Sequence, residues 1–86
     1  MPEVSRFYGI IIRFYHRDHP PTHFHAIYAE HEALIEIETG KLNQGYLPKK
    51  ALELVNEWRL LHISELRVDW NRAEQELPLL PIPPLD

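Results

Sequence analysis

The polar–apolar pattern changes period once along the chain, near Pro48. Before it, alternation of period two dominates. Glu32 to Glu38 is the clearest stretch: Ala33, Ile35 and Ile37 share one face, and Glu32, Glu36 and Glu38 share the other, with Leu34 the apolar exception. That pattern predicts a half-buried antiparallel strand. Phe7 to Tyr15 is rich in Ile, Phe and Tyr and predicts another, because β-branched and aromatic side chains suit a pleated surface. His23 to Ala29 predicts a strand joined to the next by a hairpin at Ala29-Glu30-His31. Glu38-Thr39-Gly40-Lys41 reads as a tight turn, and Lys41 to Gln44 as a short fourth strand ended by Gly45.

After Pro48 the period is helical. Ala51, Leu54, Val55, Trp58 and Leu61 fall on one face, with Pro48 suited to the first helical position. Ser64 reads as the N-cap of a second helix, stapled by Ile63 and Val68, whose stripe is Leu66, Trp70, Ala73 and Leu77. The expected fold class is α+β: a three- to four-stranded antiparallel β-meander over about residues 6 to 44, packed by helices near 48–62 and 64–76. The expected core holds Ile11 or its neighbours Ile10 and Ile12, with Ile35, Ile37, Leu54, Val55, Trp58, Leu66 and Trp70. Residues 1–77 form one domain in this reading. Residues 78–86 form an extended proline-rich tail, since four prolines in nine residues forbid helix and central strand. Leu79, Leu80, Ile82 and Leu85 make that tail too apolar for a free one, so it is expected to pack on its own domain or on a neighbouring chain.

Composition narrows the function classes. Eighty-six residues bury a modest core, and with no cysteine there are no disulfides, no zinc–thiolate sites and no thiol nucleophile. The lack of cysteine fits a reducing, cytoplasmic setting. No signal peptide is expected at Met1-Pro2-Glu3-Val4-Ser5-Arg6, and Ile10-Ile11-Ile12 is far too short to span a bilayer. A net charge of −4 with no basic run argues against broad nucleic-acid binding. There is no phosphate loop, no G-x-S-x-G and no H-E-x-x-H.

One segment departs from this plain pattern. Four of the six histidines lie between residues 16 and 25, in His16-Arg17-Asp18-His19-Pro20-Pro21-Thr22-His23-Phe24-His25. On a strand, His23 and His25 point to one face and Phe24 to the other. A His-x-His pair is half of a zinc or other divalent-metal site, which His16, Asp18 or His19 completes if the turn folds back. His23, His25, His16 and Asp18 are the candidate metal ligands. His19, His23 and His25 are the candidate acid/base groups, as in a toxin-like ribonuclease. A functional segment would show His23 and His25 accessible to solvent and converging with at least one of His16, Asp18 and His19. A purely structural one would show the rings splayed apart, or buried in bonds to backbone carbonyls.

The run from Phe14-Tyr15 through His19-Pro20-Pro21-Thr22-His23-Phe24-His25-Ala26 resembles the signature of a bacterial domain-of-unknown-function family, number 4160. Ile37-Glu38-Thr39-Gly40, Gly45-Tyr46-Leu47-Pro48, Asp69-Trp70-Asn71-Arg72-Ala73 and Ile82-Pro83-Pro84-Leu85 are similar to its longer members. The resemblance implies a small bacterial single-domain protein, encoded beside another small protein in a toxin–antitoxin-like pair. It transfers no catalytic residue. The function expected from it is a protein-interaction module that binds the neighbouring gene's small product, with homo-oligomerisation as a second means of support. The alternative is the ribonuclease or metal-binding reading of the His16–His25 segment.

Overall fold

The computed structural model describes residues 3–86. Five strands run in chain order: β1 (Glu3–Phe7), β2 (Ile10–Arg13), β3 (His23–Tyr28), β4 (His31–Glu36) and β5 (Leu42–Gly45), followed by α1 (Lys49–Leu61) and α2 (Ile63–Glu74). They form one sheet of order β1-β2-β3-β4-β5, with every neighbouring pair antiparallel. The α+β meander with two C-terminal helices is therefore present, with five strands in place of three or four.

The extra strand, β1, lies before the segment expected to be one strand from Phe7, and that segment supplies β2. Phe7 pairs with Ile10 across Tyr8 (φ 50) and Gly9 (φ 79). Two successive left-handed residues make the type I′ connection that matches strand twist, and glycine accepts the second at no steric cost. A second glycine matters later in the sheet. At Gly45 (φ 83), which pairs with Ala33 at the end of β5, a Cβ would stand 1.9 Å from the Glu32 carbonyl oxygen. Only glycine lets β5 close on the backbone of Glu32 there.

One face of the sheet meets the helices. Ile10, Ile12, Phe24, Ala26, Ala33, Ile35 and Ile37 are buried with Val55, Trp58 and Leu66. Trp58 packs against Phe7 at 5.3 Å and edge-on against Phe24 at 5.9 Å between ring centroids. Burying rings of this size contributes most of the energy in so small a core. Ile10 and Ile12 take the interior positions, Ile11 is half-buried, and Leu54 lies at the margin. Leu61 and Leu77 leave the predicted stripes and are exposed. On α1, with about 100° per residue, Leu61 and Arg59 lie on opposite borders of the stripe. The sheet takes Arg59, whose Nη1 donates to the Ile37 carbonyl at 2.8 Å.

The helix ends also differ from expectation. Pro48 is the N-cap of α1 and not its first helical residue. His62, not Ser64, precedes α2. Its ring bonds the Glu65 carboxylate, three residues on, and no side chain caps the helix amides. Val68 is exposed, so the staple with Ile63 does not form. The tail runs back over the domain: the Ile82 amide donates to the Val4 carbonyl at 2.8 Å, and Trp58 Nε1 donates to the Pro83 carbonyl at 2.8 Å. Ile82 is buried. Among the described residues no helix is long and apolar enough to cross a membrane.

Candidate functional site

The register of β3 decides where its histidines sit. His25 lies opposite Arg13 of β2 and Leu34 of β4, and His23 lies opposite Glu36. Both therefore occupy the sheet face turned away from Phe24 and Ala26, as the pleat requires. The loop between β2 and β3 closes over that face. Phe14 anchors it in the core. Tyr15 stands edge-on against the His25 ring, with centroids 4.2 Å apart. Arg17 turns the chain in the left-handed region (φ 57), and its amide donates to the Ala73 carbonyl of α2 at 3.1 Å. The chain then returns Asp18 to the histidines.

The Asp18 carboxylate is the hub. Its Oδ2 lies 2.9 Å from His23 Nε2 and 3.1 Å from His25 Nε2, while Oδ1 accepts the His19 amide at 2.9 Å. The other nitrogen of each ring also faces an acceptor. His23 Nδ1 is 2.7 Å from the Pro21 carbonyl, and His25 Nδ1 is 3.0 Å from Glu32 Oε2. Tyr15 donates its hydroxyl to the same Glu32 oxygen at 3.2 Å. Burial, then the Glu32 charge, push the Tyr15 pKa up, so the phenol keeps the proton it donates. Burial works against the charge on Asp18. Hydrogen bonds from His25, the His19 amide and His23 outweigh it and hold the carboxyl below the usual carboxylate range.

The partners assign the tautomers. A carbonyl oxygen only accepts, so His23 Nδ1 carries hydrogen; Glu32 as a carboxylate asks the same of His25 Nδ1. Were both rings neutral, bare Nε2 lone pairs would face a carboxylate oxygen. That junction needs a positive charge in it. Two protons supply it as two imidazolium ions, but their rings are 5.2 Å apart in a buried site, a repulsion of about 3 kcal/mol at an effective dielectric near 20. One divalent cation supplies it without that repulsion. Asp18, His23 and His25 offer ligand atoms within 4.8 Å of one another. A metal-bound histidine with its second N–H on a carbonyl or carboxylate is the usual outer-shell arrangement.

The two rings converge on Asp18 without being accessible: His23 is 2% and His25 8% exposed, and His23, not His25, bonds a backbone carbonyl. His19 is exposed beside the cluster, with Nε2 3.8 Å from Asp18 Oδ1. His16 is exposed in the preceding turn and lies outside the ligand group. Glu32 and Tyr15 are the participants that sequence reasoning missed. In the sequence Glu32 is one of three carboxylates on the polar face of its strand. The signal that finds it is the Ala29-Glu30 hairpin, whose register puts Glu32 one diagonal step from His25 on the same face.

A family model described as Domain of unknown function (DUF4160) matches residues 9–71, a span that includes all of these side chains. No curated protein and no solved structure matches the chain.

Proposed function

From the premise that the chain belongs to the DUF4160 family, we propose that it is a metal-stabilised interaction protein. Its centre is a divalent cation, zinc by the ligand set, held by Asp18, His23 and His25. The carrying observation is the meeting of two Nε2 atoms at one Asp18 oxygen while both Nδ1 atoms are tied to acceptors. Imidazole and carboxylate ligands without thiolate suit zinc, and the lack of cysteine supports a cytoplasmic setting. The metal would staple the loop after β2 to the sheet, in place of the disulfides that a chain of this size lacks. Acid/base chemistry has less support, because both nitrogens of His23 and of His25 already have partners.

The interaction part rests on a separate observation. Leu60 and Leu61, at the end of α1, are 65% and 66% exposed. Adjacent large apolar side chains in water are where a small partner protein, such as the product of a neighbouring gene, would bind.

Zinc titration of the metal-free protein against the His23→Ala, His25→Ala double variant tests the metal. One equivalent bound by wild type and lost in the variant is expected. Equal, weak binding by both overturns the proposal. Co-purification of a partner with wild type, abolished by Leu60→Asp with Leu61→Asp, tests the interaction.

A further inference from the structure

The centre described above has three protein ligands, so a tetrahedral ion needs a fourth. We infer that His19 is that fourth ligand, and that by taking the place it seals the metal against small exogenous ligands. The inference rests on the metal reading of Asp18, His23 and His25.

His19 repeats the arrangement of the other two histidines. Its Nδ1 is 3.3 Å from the Pro20 carbonyl, which only accepts, so Nδ1 carries the hydrogen and Nε2 is bare. His23 uses the next carbonyl, that of Pro21, in the same way. The two prolines therefore present consecutive carbonyls to two imidazoles. His25 completes the set with Glu32. Three rings then have Nδ1 on a fixed acceptor and Nε2 toward one carboxylate.

His19 stands at the edge of the centre. His19 Nε2 stands 3.8 Å from Asp18 Oδ1, the oxygen that neither His23 nor His25 contacts. His19 is outside the group whose ligand atoms lie within 4.8 Å of one another, and tetrahedral bonds of about 2.0 Å put neighbouring ligand atoms about 3.3 Å apart, so its ring must swing inward to bind. The His19 ring lies 5.7 Å from that of His23, close to the 5.2 Å between His23 and His25. Its side chain is 71% exposed, so it moves without disturbing the core. The nearby carboxylates are already engaged: Glu32 with His25 and Tyr15, and Glu36 with the Thr39 hydroxyl at 2.9 Å.

The consequence is a closed site. Three imidazoles and one carboxylate select zinc or cobalt over magnesium and calcium, which prefer all-oxygen shells. With every position filled by protein, no water or substrate reaches the ion, and its work is to hold the loop.

Cobalt(II) as a spectroscopic substitute for zinc, added to the full chain, tests this. Wild type is expected to show the strong visible bands of four-coordinate cobalt, unchanged by azide. His19→Ala opens one position: its bands weaken and shift, azide shifts them again, and cobalt affinity falls by at least about tenfold. Free imidazole restores the wild-type spectrum. His19 is a surface residue, so far-ultraviolet circular dichroism of the metal-free variant should match wild type. Identical cobalt spectra and identical azide responses in wild type and His19→Ala overturn the role of His19 and leave the three-ligand centre standing. Failure of wild type to bind cobalt at all overturns the centre itself, and this inference with it.

Discussion

Asp18, in the loop that closes over β3, and Asp69, on α2 beneath the tail, are both largely withdrawn from water. The Asp18 side chain is 15% exposed and Asp69 is fully buried. Asp18 has a partner for each oxygen: two histidines on one and the His19 amide on the other. Asp69 has one. Its Oδ1 accepts the Leu80 amide at 2.8 Å, and its Oδ2 has no partner among the described residues. The pKa values follow the partners more than the depth: Asp18 is held low, while burial pushes Asp69 up. A carboxylate inside a small protein is stabilising only when its lone pairs are answered. The histidine site answers them with a network; the seam between α2 and the tail does not.

The largest expected effect comes from removing the hub. Asp18→Ala strands two buried Nε2 atoms, at about 1–3 kcal/mol each. Urea unfolding of the metal-free protein should show a loss of about 2–4 kcal/mol, and zinc binding should disappear. A loss indistinguishable from that of an exposed-site control would mean the network does not hold the loop.

Deleting residues 78–86 addresses the other region. It unburies Ile82 and frees the Trp58 indole from the Pro83 carbonyl. Ile82 alone accounts for about 2 kcal/mol, or a fall of about 10 °C in Tm for a domain of this size. Unchanged melting would show that the tail contributes no stability.

The sharpest form of the comparison is in pH. A carboxylate held low stabilises the fold above its ordinary value of 3.8 and loses that contribution as pH falls through its folded value. The cost of Asp18→Asn should therefore shrink on acidification below about pH 4. A carboxylate pushed up acts in reverse: the folded state binds the extra proton, so stability falls as pH rises above 3.8. Asp69→Asn, which keeps an oxygen for Leu80, should gain on wild type over that rise, with a net change within about 1 kcal/mol. Parallel pH profiles for the two variants would erase the distinction between the sites.

The smallest effect belongs to a carboxylate that is fully partnered but in water. Glu38 takes a two-bond contact from Arg67 at 2.6 and 2.7 Å, and that contact holds its pKa low. Both groups are exposed. Arg67→Ala should change Tm less than any variant above, and the change should vanish in about 1 M salt.

Much of this was legible in the chain. Period two in Glu32–Glu38 and period 3.6 after Pro48 gave the strand and the helices, because the side-chain direction repeats with the backbone. The placement of His23 and His25 on one face with Phe24 on the other followed from the same rule. The Tyr8-Gly9 turn was harder to see, since tyrosine in the left-handed region is not a turn signal by itself. Leu61 and Arg59 traded places because a stripe's borders are settled by what the sheet offers, here the Ile37 carbonyl.

What only the tertiary structure decided is the site. Two residues that share a strand face do so in any fold, because the pleat is local. Their meeting with Asp18 depends on a loop that turns at Arg17 and is tied to Ala73 across the molecule. Their burial depends on Tyr15 and Trp70 closing over the rings. The Glu32 contact depends on the β3–β4 register. Each is a contact between segments distant in sequence, formed because the loop's backbone groups and the buried imidazoles need partners. No pattern within either segment encodes which partner that will be.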